Sequence, residues 1–128
     1  HCWLMNKLVK EVDKNNLYYE YLKSLNGILN LTNKELDIMV KLMEYDAEYK
    51  STPGVSKNII DAVHRKRIKD ETGTTPDNLS RYIKKFRENG LIVQGKADDE
   101  MYVNKILMPD VIKDRIQITI VLKLNEEN

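Results

Sequence analysis

Residues 65–93 read RKRIKDETGTTPDNLSRYIKKFRENGLIV, and the fold turns on this stretch. Thr75 is a good N-cap, because a threonine hydroxyl can accept from the first orphan amides of a helix. Pro76 suits the first helical position, where its missing N–H has no partner to lose, and Asp77 complements the positive end of the helix dipole. Leu79, Tyr82, Ile83 and Phe86 then fall at i, i+3, i+4 and i+7, one apolar stripe that predicts a helix over 76–88. The pair NG at 89–90 stops it. Gly73 sits where a glycine closes a preceding helix in the left-handed conformation and opens a tight turn. Downstream, Leu91, Ile92 and Val93 read as a short strand, 94–100 as a loop, and Met101, Tyr102 and Val103 as the returning strand of a hairpin.

Upstream, the apolar positions of 17–31 recur at 18, 21, 22, 25, 28 and 29, a helical stripe weakened by the NG pair at 26–27. Thr32 reads as an N-cap, and Glu35 completes a capping box. The helix it opens, 33–47, carries Leu36, Met39, Val40 and Met43 on one face; Ile38, Leu42 and Tyr45 widen it, so burial on more than one side is expected. KSTPG at 50–54 is turn chemistry. Ser56 is expected to cap a further helix that points Ile59, Ile60, Val63 and Ile68 inward and runs toward Gly73. Pro109 breaks the chain, after which Ile116, Ile118, Ile120 and Leu122 alternate with polar residues as in a half-buried strand, and the final NEEN reads as frayed.

Two helices joined by a short glycine-containing turn and followed by a hairpin make a winged helix-turn-helix pattern. The stretch resembles the reading helix of MarR-like and related winged-helix regulators, with Gly73, Ser80, Arg81, Phe86, Gly90, Leu91 and Ile92 on the matching positions. Thr72 and Thr74 stand where such proteins bury aliphatic residues. The expected class is therefore α+β, mainly α: a winged helix-turn-helix with a small antiparallel β-hairpin wing and an extra C-terminal strand. Residues 1–4 read as non-native, ahead of a natural start at Met5, so His1, Cys2 and Trp3 are given no functional weight. Residues 5–31 form an N-terminal helical extension, 32–108 the winged helix-turn-helix domain, and 109–128 the C-terminal strand and tail.

The 128-residue chain is nearly neutral at +1, yet its charge is unevenly placed. Residues 57–96 hold ten basic and five acidic side chains, leaving eleven basic and fifteen acidic elsewhere. That asymmetry, rather than the total, is the footprint of a polyanion-binding face. On the helix over 76–88, Asn78 and Arg81 lie off the apolar stripe in the half that meets base edges in this motif; arginine bonds guanine and asparagine adenine, each in two places. Lys84 and Lys85 suit phosphates, as do Arg65, Lys66 and Arg67, while Thr74, Thr75 and Ser80 offer hydroxyls to the DNA backbone. A solvated helix face can look the same, and the loop GKADDE at 95–100, with three acids and one base, would be repelled by phosphates.

Other classes find little purchase. No apolar run can span a membrane, the N-terminus lacks a secretory h-region, and one cysteine cannot make an internal disulfide, so a cytoplasmic protein is expected. There is no glycine-rich phosphate loop, paired-histidine zinc motif or cysteine cluster, which argues against an enzyme, a metal site or a cofactor. His64 reads as a helix-surface residue. Lysine outnumbers arginine 16 to 5, and Asn and Ile number 12 each, usage common in AT-rich bacterial and phage genomes. The expected function is double-stranded DNA binding in transcription control or replication initiation, as a homodimer or higher homo-oligomer. The alternative is a phage structural or assembly protein that uses the same domain to contact phage or host proteins.

Overall fold

A computed structural model describes residues 7–126; the expectation for residues 1–4 and the last two residues of the tail lie outside them. The chain is α+β and mainly helical. Helices α1 (Leu17–Leu29), α2 (Asn33–Glu48), α3 (Ala62–Thr72) and α4 (Pro76–Glu88) precede a hairpin of β1 (Ile92–Gln94) and β2 (Met101–Val103), with single 3-10 turns at Lys14–Asn16 and Lys105–Leu107. The strands pair antiparallel, Ile92 opposite Val103, Val93 opposite Tyr102 and Gln94 opposite Met101.

The capping box at the start of α2 forms as the sequence predicts. Thr32 accepts from the Glu35 amide at 3.2 Å, and the Glu35 carboxylate accepts from the Thr32 amide at 2.8 Å. From there α2 becomes the most buried element, with Leu36, Ile38, Met39, Leu42, Met43 and Tyr45 in the core. Leu22 of α1, Ile68 of α3, Leu79, Ile83 and Phe86 of α4, and Ile92, Met101 and Val103 of the hairpin complete it. The NG pair at 26–27 does not end α1. Asn26 instead clamps the loop to α2, accepting from the Leu31 amide at 2.8 Å and donating to the Leu31 carbonyl at 3.0 Å, while Asn30 turns left-handed (φ 57°).

Two expectations are corrected. The helix before the turn is not capped by Ser56: it begins at Ala62, with Asp61 as the N-cap accepting from the His64 amide at 2.9 Å. Ile59 and Ile60 are buried but not helical. Residues 57–59 run beside β2, where the Met101 amide donates to the Lys57 carbonyl at 2.8 Å and the Ile59 amide to the Met101 carbonyl at 3.1 Å. These bonds claim the backbone that a longer helix would need. Asn58 then turns the chain by accepting from the Ile60 amide, and the helix that finally starts leaves Val63 67% exposed.

The C-terminal strand is the second correction. Residues 116–126 form no helix and join no sheet, and Ile118, Ile120, Leu122 and Leu124 are exposed. An alternating segment becomes a strand only where a sheet edge can receive it. Here residues 57–59 take the side of β2 away from β1, and residues 116–126 do not pair with the remaining edge, that of β1.

Phe86 is fully buried on the apolar face of α4, so Phe86→Ala is expected to cost about 3–5 kcal/mol in denaturant unfolding. Val63→Asn, on the exposed side of α3, should stay within about 0.5 kcal/mol of the parent.

Candidate functional site

The turn into α4 is built from backbone freedom and hydroxyls. Gly73 closes α3 at φ 68°, a conformation strained for other residues. Thr74 enters the interior, where its hydroxyl meets that of Thr72 at 2.6 Å, and Thr72 in turn bonds the Ile68 carbonyl. A mutual hydroxyl pair thus replaces the aliphatic contact expected at this turn. Thr74 is therefore withdrawn from the list of DNA-backbone donors: it is buried and already bonded. Thr75 caps α4 by accepting from the Asn78 amide at 3.2 Å, which leaves its O–H free to donate outward.

Because Leu79, Ile83 and Phe86 turn inward, Asp77, Ser80, Arg81, Lys84 and Arg87 are exposed. The Arg81 guanidinium donates to the Asn78 side-chain carbonyl. Lys84 and Arg87 meet no carboxylate among the described residues. They share with Arg65, Ser80 and one acid, Glu88, a cleft of about 670 Å³ between α4 and β1, which Ile83, Ile92, Val93 and Gln94 also line. Arg65 is held there by its Nε, which donates to the Ile60 carbonyl at 2.7 Å. Arg87 was not among the residues singled out from the sequence. Its place seven after Ser80 and three after Lys84, on one side of the same helix, was the available signal.

Three of the expected phosphate ligands are engaged elsewhere. Lys85 turns to the other flank of α4 and meets the buried Glu35 carboxylate at 2.7 Å. Arg67 lies over the Tyr45 ring, 4.2 Å from its centre, and pairs with Glu48 and Glu71. Lys66 pairs with Asp70 one turn away at 2.8 Å; both are well exposed, so this pair exchanges readily with a competing anion. The hairpin loop is less bare than its composition suggests. Glu100 turns inward to accept from the Lys96 amide at 2.7 Å, and a Cβ on Gly95 would overlap that carboxylate.

A second recess of about 510 Å³ lies over α2 and α3, bordered by Tyr18, Lys41, Glu44, Glu48, Arg67 and Glu71. Its charges neutralise one another: Lys41 reaches Glu71 at 3.2 Å, and Tyr45 donates to the same carboxylate. Burial, with Glu71 adding to it, pushes the Tyr45 phenol up to about 12, so it stays protonated across the physiological range. His64 is half-buried rather than a surface residue, with its ring nitrogen 2.7 Å from Asp61 and its face against Tyr45. Among the described residues no cluster of His, Cys, Asp and Glu could hold a metal ion, and no helix is long and apolar enough to cross a membrane. No protein-family model, curated protein or solved structure matches this chain.

Burial alone would raise the Glu35 carboxyl, but the Lys85 ammonium and the Thr32 hydrogen bonds overcome it and hold the group below the ordinary glutamate value. A carboxyl depressed in the folded state contributes stability above its unfolded value, and that contribution is lost as pH falls through the folded one. Unfolding free energy should therefore drop on acidification below about pH 4.3, with Glu35→Gln showing a shallower acid slope. At pH 7, Lys85→Ala should destabilise more than Glu35→Gln, because it leaves the buried carboxylate without its cation, whereas the Lys85 ammonium is half-exposed and water can solvate it.

Proposed function

We propose that this protein binds double-stranded DNA as a winged helix-turn-helix module, with α4 entering the major groove and the β1–β2 hairpin as its wing. The observation that carries the reading is the arrangement of cations around α4. Arg65, Arg81, Lys84 and Arg87 meet no carboxylate among the described residues and stand on one outward face and its adjoining cleft. Arg67, Lys85 and Lys57 are instead held by acids of α2. The order α2, α3, turn, α4, hairpin is the order the motif requires. Arg65, Lys84 and Arg87, with Lys66 and Lys69 on α3, supply about five phosphate contacts, and Arg81 supplies a base contact. Transcription control or replication initiation is the corresponding role, with two copies on paired half-sites.

A second reading is favoured by a separate observation. The segment 116–124, which joins no helix or sheet, exposes Ile118, Ile120, Val121, Leu122 and Leu124, apolar side chains that would be covered if it added a strand to another chain's sheet edge. In that reading the protein is an assembly module, as in a phage particle, and duplex DNA is irrelevant to it.

Titration of random duplex at several salt concentrations, with light scattering on the same samples, separates the two. Log affinity should fall against log salt with a slope of about −4 to −5. Replacing Lys84 and Arg87 together by Ala should flatten the slope by about 2 without changing the fold. A stable ring or higher oligomer that ignores duplex would establish the assembly reading instead.

A further inference from the structure

On the outward face of α4, Asp77 and Arg81 lie about one helical turn apart, and the Arg81 guanidinium is tethered to the Asn78 carbonyl. That tether fixes what each side chain still has to offer. Asn78 has given one lone pair of its carbonyl to Arg81, so it can meet the amino group of adenine only while sharing that oxygen with the guanidinium. Arg81 keeps its remaining guanidinium donors, and the bond to Asn78 narrows the orientations in which they can be presented. Asp77 is exposed, pairs with no cation among the described residues, and when ionised offers acceptors alone. Donors and acceptors thus stand side by side on the helix. In the major groove a G·C pair shows the complementary pattern: two acceptors on guanine, then the amino donor of cytosine.

Resting on the DNA-binding reading above, we propose that α4 reads a G·C base pair, with Arg81 bonding guanine N7 and O6 and Asp77 accepting from the cytosine amino group. Asn78 is a positioning residue that holds Arg81 for this contact, in place of the adenine contact that its residue type alone suggests. The assignment also gives a reason for an acid among the cations of a DNA-facing helix. Asp77 lowers affinity for every duplex by repelling phosphates, and in return it rejects pairs that lack an amino donor at that place.

The test selects binding sites for the intact protein from a pool of randomised duplexes. Affinity is then compared between the selected site and copies in which the recovered G·C pair is replaced by A·T, with the salt slope measured for each. The parent should recover one invariant G·C pair, whose replacement weakens binding about ten- to a hundredfold. Arg81→Lys and Asn78→Ala should bring that ratio toward one while the salt slope persists. Asp77→Ala should bind random duplex more tightly and yet discriminate less. None of the three residues belongs to the core, so thermal melting of the Arg81 and Asn78 variants should match the parent's, and Asp77→Ala should melt only slightly lower, for loss of its contact with the helix dipole. Recovery of adenine at this position, a G·C preference that survives Asn78→Ala, or selection of no preferred base with the salt slope intact would each overturn the proposal. Absence of binding to any duplex would instead overturn the DNA-binding reading on which it rests.

Discussion

Helix α2 carries a carboxylate near each end, and those two groups hold the elements around it. Glu35 is almost wholly buried, with one oxygen accepting from the Thr32 amide and the other from Lys85 on α4. Eleven residues and three turns later, on the same side of the helix, Asp46 accepts from the Val103 amide of β2 and from Lys57 of the segment beside it, each at 2.9 Å. One acid thus fixes the angle of α4 and the other anchors the hairpin. A buried carboxylate that lost its partner would be costly, so these pairings select one arrangement of the surrounding elements.

That arrangement sorts the cations. Lys57, Arg67 and Lys85 are drawn toward acids of α2 and leave the pool available to an external anion. Arg65, Arg81, Lys84 and Arg87 meet no carboxylate among the described residues; Arg65 gives its Nε–H to the Ile60 carbonyl and Arg81 one N–H to Asn78, and their other N–H groups are left for solvent or a ligand. A chain of net charge +1 therefore presents a group of unpaired cations around α4, with Asp77 and Glu88 the acids that stand among them. The recess around Arg67 and Tyr45 illustrates the opposite outcome: it is rich in charge but closed on itself by internal pairs.

Most of the helical framework was legible from local signals. The capping box at Thr32 and Glu35, the Thr75-Pro76 start of α4, the left-handed Gly73 and the stripe from Leu79 to Phe86 each depend on neighbours within a few residues, and each formed. Reading failed where a distant group decided the result. Ile59 and Ile60 look like part of a helical stripe until β2 claims the backbone around them. Residues 116–122 look like a strand by alternation alone, yet they pair with no edge of the hairpin, and pairing is what makes a strand. Thr74 reads as an exposed hydroxyl, and only the packing of the turn buries it against Thr72.

The same division runs through the candidate interface. The amino-acid order alone settled that α4 would be amphipathic and that basic residues would lie off its apolar stripe, because helical periodicity fixes which side chains share a face. It could not settle which of those cations would remain available. Lys84 and Lys85 are adjacent and chemically identical, yet one lines an open cleft and the other closes on Glu35. A turn of 100° separates them along the helix, and only the position of α2 against one flank makes that turn matter.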